Sequence, residues 1–299
     1  MQVMILAAGL GTRLRPYSLI RPKPLFPVLD QPLLLRIISH VKQYGADKIL
    51  VNCHHLGKQV VSALTGQEDV RIQEEPEILG TGGALRKALS FLDDRPILVV
   101  NGDIYHTIDL AWAYEEHLAS GADATLVLQH YPRFNNVTLY PDGRISGIRN
   151  KLRDEPEMAF TGIQVINPDL LSYLPEGNYA DILDCYQHWL DKGAYLRGLL
   201  SRGHFWTDLG TPDDYLGLHD RLLQVVCLNR NIRLFRGKEV SLSPDVTLRD
   251  WVVIGSGAQI RGGSHLERVV IWDGAVVDEK SVMKDEIVTG EVTEPTEDR

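Results

Sequence analysis

The residue types with the clearest chemical potential lie near the N-terminus. Leu6-Ala7-Ala8-Gly9-Leu10-Gly11-Thr12-Arg13-Leu14-Arg15-Pro16 continues directly from a short apolar run that begins at Val3. Glycines let backbone N–H groups approach phosphate oxygens closely, and the C-terminal end of a strand is where open α/β sheets bind ligands. Two guanidiniums beside such a loop suit a triphosphate, which they grip by charge and by paired hydrogen bonds. The segment is not a Walker A loop, because no Gly-Lys-Ser/Thr ends it, and it is not G-x-G-x-x-G, because position 14 is Leu. Gly9-Leu10-Gly11 alone would be a tight turn. Ten residues beyond Arg13, Arg21-Pro22-Lys23-Pro24-Leu25 places a lysine between two prolines. The prolines make Lys23 a loop residue that can fold back over the same phosphates. A lone lysine would be a solvated side chain; glycines, arginines and lysine together outweigh that alternative.

With these residues in view, the chain resembles the sugar-1-phosphate nucleotidylyltransferases, or nucleotide-sugar pyrophosphorylases. The resemblance begins in Gly9-Leu10-Gly11-Thr12-Arg13 followed by Pro22-Lys23-Pro24-Leu25, and it continues through four later landmarks in order. Leu79-Gly80-Thr81-Gly82-Gly83-Ala84-Leu85 resembles the segment that receives base and ribose. Asn101-Gly102-Asp103 resembles the strand-end Gly-Asp that binds magnesium. Phe160-Thr161-Gly162-Ile163 resembles the sugar-pocket strand. Trp206-Thr207-Asp208-Leu209-Gly210-Thr211-Pro212 resembles the segment supplying a second metal aspartate. The resemblance spans about residues 1–225, and a hexapeptide tail resembles the left-handed β-helix that many members carry.

The resemblance implies magnesium-dependent attack of a sugar-1-phosphate oxygen on the α-phosphorus of a nucleoside triphosphate, with pyrophosphate leaving. It assigns catalysis to Arg13, Lys23, Asp103 and Asp208, the two aspartates holding Mg2+. Leu6, Ala7, Ala8, Gly9, Gly11, Thr12, Glu75, Gly80, Thr81 and Gly82 fall to the nucleotide, with Gly80–Gly83 leaving room for the nucleoside. Asn101, Asn150, Lys151, Thr161, Gly162 and Asp181 fall to the sugar phosphate. Isolated, Asp103 would be a turn residue, and Asp208 an N-cap for a helix near Pro212. Glu75 or Gln73 would read the base: a carboxylate accepts two N–H bonds from guanine, whereas a glutamine serves several bases. Asp181 either touches sugar hydroxyls or caps its own helix. Many members carry Glu-Lys-Pro before the sugar-pocket strand; here the segment is Ile148-Arg149-Asn150-Lys151-Leu152-Arg153. That departure points away from the common glucose and mannose enzymes and toward muramate-phosphate uridylyltransferases and heptose-phosphate guanylyltransferases, the glycine segment at 79–84 leaning toward guanylyl transfer. Uridylyl transfer to an amino sugar and a catalytically idle nucleotide-sugar-binding subunit are the rivals.

The elements that must position these residues follow from the apolar spacing. Val3–Leu6, Lys48–Val51, Val70–Ile72, Ile97–Val100 and Ala124–Gln129 read as strands. Helical patterns lie near 32–44, 57–64, 82–92 and 110–119, so the alternation predicts an α/β fold, Rossmann-like with a mostly parallel sheet. Continuous apolar runs fit strands covered on both faces. Leu248, Ile254, Ile260 and Leu266 then fall six apart, and after a one-residue slip Ile271 and Val277 resume the spacing. That period predicts roughly two coils of a short left-handed parallel β-helix. The expected organisation is a catalytic domain at 1–228, the β-helix at 229–290 and a polar tail at 291–299.

The whole chain has 299 residues, with 31 Lys and Arg against 40 Asp and Glu, a net charge of −9. That balance argues against nucleic acid as the main partner. Cys53, Cys185 and Cys227 form no disulfide framework or zinc spacing. No apolar run reaches the ~20 residues of a membrane span. A cytoplasmic, membrane-free homo-oligomer is expected, the open β-helix end providing the contact.

Overall fold

The computed structural model describes residues 1–149, 157–227 and 232–290. The chain forms two compact units: one of Met1–Leu10 with Leu34–Trp206, the other of Gly11–Leu33 with Thr207 onward.

The first unit is built on a nine-stranded sheet. Its strands are β1 (Gln2–Leu6), β2 (Lys48–Cys53), β3 (Val70–Glu74), β4 (Ile97–Asn101), β5 (Ala124–Gln129), β6 (Asn135–Leu139), β7 (Ile145–Ile148), β8 (Glu157–Ile166) and β9 (Leu196–Leu200). The order is β7-β6-β8-β4-β1-β2-β3, with β5 pairing both β8 and β9. β4, β1, β2 and β3 run parallel, as the alternation of strands and helices predicts. β8 reverses the direction and pairs antiparallel with β4, β5 and β6, so the sheet is mixed. An apolar run reports that a strand is covered on both faces, not which way it runs.

Helices α1 (Leu33–Gln43), α2 (Gly57–Ala63), α3 (Gly80–Ala88), α4 (Leu110–Ser120) and α5 (Ile182–Asp191) connect or flank these strands. Tyr186 and Trp189 of α5 join Ala84 and Leu85 of α3 in one core with Met4, Leu50, Val99 and Leu126. The register sets Leu6 between Asn52 and Asn101, so β1, β2 and β4 end level at one sheet edge.

The second unit carries α6 (Pro212–Val226) and, after it among the described residues, seven short strands: β10 (Arg233–Arg236), β11 (Ser241–Leu242), β12 (Thr247–Ile254), β13 (Gln259–Ile260), β14 (His265–Ile271), β15 (Val276–Val277) and β16 (Val282–Val288). They pair in parallel as β10-β12-β14-β16 and β11-β13-β15, the stacked sides of a short left-handed β-helix. Leu248 stacks on Leu266, Ile254 on Ile271 and Ile260 on Val277, which are the residues of the six-residue repeat. The slip is a register shift between Arg249 and Val252, where β12 carries one extra residue. An alternating ladder crosses the coils beside it: Arg233 pairs with Asp250 at 2.7 Å, Asp250 with Arg268 at 3.5 Å, and Arg268 with Asp285 at 2.5 Å.

Candidate active site

In the first unit the glycine-rich loop leaves β1 with Ala7 and Ala8 buried and Gly9 exposed. Ala7 N donates to Asn52 Oδ1 at 2.7 Å, and Asn52 Nδ2 donates to Glu75 Oε1 at 2.9 Å. Gln73 Nε2 donates to the same Glu75 oxygen at 3.1 Å, while Glu75 Oε2 accepts from Leu79 N at 3.4 Å. A buried polar chain thus ties the β1 loop to the start of α3. Glu75, 4% exposed, is the junction of that chain, with both carboxylate oxygens engaged inside the protein. What it places is Leu79, at the start of the glycine segment. In the sequence, Asn52 is marked only as a polar residue near the end of the apolar run of β2.

The glycines of 80–83 have a specific reason. A Cβ on Gly80 would lie 2.5 Å from Ala180 O, one on Gly82 3.2 Å from the same oxygen, and one on Gly83 would overlap Asn178 O. Gly82 N donates to Ala180 O at 2.8 Å. The side of the helix that the sequence reserves for a nucleoside is, at these three positions, filled by the chain's own backbone at 178–180. Thr81 Oγ1 accepts from Ile182 N at 2.9 Å, which joins α3 to the start of α5. Asp181 caps α5: its Oδ1 accepts from Leu183 N at 2.8 Å and its Oδ2 from Arg149 Nη2 at 3.3 Å. Of the two roles the sequence leaves open for Asp181, the cap is the one formed.

At the neighbouring strand end, Gly102 N donates to Leu6 O at 2.8 Å, and a Cβ there would meet that oxygen at 2.8 Å. Only glycine lets the turn bearing Asp103 come so close to β1. Gly162, at φ +80°, leaves space for Asn101, whose Nδ2 would lie 2.6 Å from a Cβ. Thr161 is fully buried; its hydroxyl donates to Val127 O at 2.8 Å and its carbonyl accepts from Trp206 Nε1 at 2.7 Å. It shapes the strand and has no exposed surface for a sugar. Asn150 and Lys151 lie outside the described residues.

Three residues beyond Asp103, His106 is buried against His40, with ring centroids 4.8 Å apart. Its Nδ1 accepts from Ile108 N at 3.2 Å, which requires the neutral ring. Burial, then the charges of His40 and His204, push its pKa down to about 3. Burial also lowers His40 and His117. A histidine depressed by folding stabilises the fold above its unfolded pKa of about 6.5, and that contribution is lost as pH falls toward the folded value. Unfolding free energy should therefore drop below pH 6.5, by up to about 1.4 kcal/mol per pH unit for each such histidine. Urea titrations at pH 7 and pH 5 read this directly, and His106→Gln should flatten the slope.

In the second unit the structure brings Arg13, Lys23 and Asp208 together. Lys23 Nζ lies 3.1 Å from Asp208 Oδ1 and Arg13 Nη2 lies 3.5 Å from Asp208 Oδ2. Lys23 is 7% exposed, held in a short turn over Lys23–Leu25 between Pro22 and Phe26. Arg13 is open, its side chain 58% exposed. Gly11 adopts φ +62°, and a Cβ on it would sit 3.2 Å from Ser18 Cβ. A Cβ on Gly210 would lie 2.5 Å from Asp208 Oδ2 and 2.8 Å from Arg13 Nη1, so glycine is what leaves room for the triad. Thr211 rather than Asp208 caps α6, accepting from Asp214 N. Asp208 is thereby a hard-oxygen donor flanked by two cations, a set that fits a magnesium-bound polyphosphate.

No helix among the described residues is long and apolar enough to cross a membrane. The family model for nucleotidyl transferase matches residues 2–225. A mannose-1-phosphate guanylyltransferase of Mycobacterium tuberculosis is 28% identical, over 94% of this chain and 82% of its own. An N-acetylmuramate alpha-1-phosphate uridylyltransferase of Neisseria meningitidis is 32% identical, over 71% of this chain and 94% of its own. In fold, the chain resembles HddC from Yersinia pseudotuberculosis, solved with GMP-PN, with a TM-score of 0.64 at 23% identity, covering 74% of this chain and 99% of that one.

Proposed function

The chain belongs to the nucleotidyl transferase family and is an enzyme of the sugar-1-phosphate type; from that premise we propose that it moves a guanylyl group from GTP onto a mannose- or heptose-type sugar 1-phosphate. A phosphate oxygen of the sugar forms a new bond to the α-phosphorus of GTP. The bond from that phosphorus to the bridging oxygen breaks, and pyrophosphate leaves with the electron pair. The nucleophile is already an anion, so no protein base is needed. The protein has to offset the repulsion between two phosphates and hold them in line.

The observation that carries this is the pairing of Arg13 and Lys23 with Asp208 beside the glycine-rich segment. Lys23 is a fixed cation and Arg13 an open one, the combination suited to bound and developing phosphate charge. We assign Mg2+ to Asp208 and to Asp103. When bound, magnesium neutralises phosphate charge and orients the triphosphate. Asn101 and Gly162 are assigned to the sugar side, with Asn150 in place of the family's hydroxyl-binding glutamate and Lys151 taking the sugar phosphate. Guanine is favoured because the guanylyltransferase relative aligns along 94% of the chain. The more identical uridylyltransferase, at 32%, supports uridylyl transfer to an amino-sugar 1-phosphate as the second reading.

A pyrophosphate-release grid separates them. It crosses GTP, UTP, dTTP, CTP and ATP with mannose, heptose, glucose, N-acetylglucosamine and muramate 1-phosphates, with magnesium. Release with GTP and a mannose- or heptose-type phosphate is expected. Release only with UTP and muramate phosphate establishes the second reading. Silence from folded protein that GTP still stabilises thermally would mean a nucleotide-binding protein without turnover.

A further inference from the structure

The chain that carries Lys23 is fastened at nearly every turn to α6 and the β-helix, all within the second unit. Arg21 makes a two-pronged ion pair with Asp273, at 2.7 and 3.0 Å, and its guanidinium lies 4.6 Å from the centre of the Trp272 ring. Trp272 is 1% exposed; it meets Phe26 edge-on at 4.9 Å and Tyr17 at 6.3 Å. Its Nε1 donates to Tyr215 Oη at 3.1 Å, and Tyr215 Oη donates to Pro27 O at 2.5 Å. Further along, His219 Nε2 accepts from Leu29 N at 3.0 Å, and Ser256 Oγ donates to Asp30 Oδ2 at 2.7 Å. Arg21 and Phe26 bracket the turn of Lys23–Leu25, so the clamp grips both of its ends.

We propose that Arg21, Trp272 and Asp273 are positioning residues, through which the β-helix fixes the Lys23 ammonium where phosphate must meet it. The proposal rests on the assignment of Lys23 to phosphate. Trp272 and Asp273 follow Ile271, the last residue of β14, so the coil places them as a rigid pair. The ring fills the space beneath Arg21 while the carboxylate holds both guanidinium prongs, a geometry that lysine at position 21 does not reproduce. The β-helix is then part of the catalytic apparatus and not merely an appendage for assembly.

The test is calorimetric binding of inorganic tripolyphosphate with magnesium to the full-length protein. Four forms are compared: wild type, Asp273→Asn, Lys23→Ala and the double variant. Asp273→Asn is expected to weaken binding about tenfold. Lys23→Ala should weaken it further, and the double variant should match Lys23→Ala, because the clamp acts only through the lysine. Circular dichroism confirms folding; if Asp273→Asn does not fold, Arg21→Lys takes its place. Wild-type affinity in the clamp variant, with Lys23→Ala weakened, would overturn the proposal. So would losses that simply multiply in the double variant. Wild-type affinity in Lys23→Ala would instead remove the underlying phosphate assignment.

Discussion

Asp208→Ala should lower turnover about a thousandfold, the scale seen when a preorganised electrostatic group is removed from a reaction centre. The carboxylate has Lys23 Nζ at 3.1 Å on one oxygen and Arg13 Nη2 at 3.5 Å on the other. Removing it takes away the ligand assigned to magnesium and the counter-charge that orients both cations. It also leaves the Lys23 ammonium, 7% exposed, without that carboxylate. Breaking one side of a buried pair of this kind costs up to about 3–5 kcal/mol. Asp208→Asn separates the two effects. It keeps the shape and a hydrogen-bond acceptor, so the protein should melt nearer the wild-type temperature while turnover stays as low as in the alanine variant. Steady-state pyrophosphate release with saturating magnesium is the measurement; wild-type rates in Asp208→Asn would remove the assignment.

The largest expected stability effect belongs to Trp272→Ala. The ring is 1% exposed and touches Tyr17, Arg21, Phe26 and Tyr215. Truncating a buried tryptophan costs about 3–5 kcal/mol in transfer and cavity terms. For a chain of this size, that corresponds to a fall in Tm on the order of 10 °C. The loss also strands Tyr215 Oη without the indole donor and removes the face under Arg21. Trp272→Phe keeps most of the apolar volume but not the N–H, and should cost clearly less. Urea unfolding of the two variants checks the order; a loss below about 1 kcal/mol for the alanine variant would show that the site collapses around the gap.

What the sequence revealed, and what it hid, follows from the range of the interactions. Strand runs such as Val3–Leu6 and Ile97–Val100 are local signals, and they appear as β1 and β4. The reversal at β8 is not local, because Ala159–Ile166 is equally apolar in either direction. The six-residue spacing gave the coils and even the position of the slip, since stacking requires the same residue type on every coil. Arg13, Lys23 and Asp208 were legible because each sits in its own short motif. Asn52 and Trp272 were not, since their importance depends on Ala7 and Glu75 in one case and on Arg21 and Phe26 in the other. The three glycines within 80–83 suggest room for a ligand, whereas all three answer to backbone about 100 residues later, which no local pattern encodes.

The proposed reaction moves the α-phosphorus of a nucleoside triphosphate onto a sugar 1-phosphate. The direct measurement runs the most active pair of the substrate grid twice, once with GTP labelled at the α-phosphate and once with GTP labelled at the γ-phosphate. The α-label is expected to enter the sugar product and the γ-label to leave as pyrophosphate, with both signals lost in Asp208→Asn. Gamma-label in the sugar product, or α-label recovered only as free GMP, would contradict it.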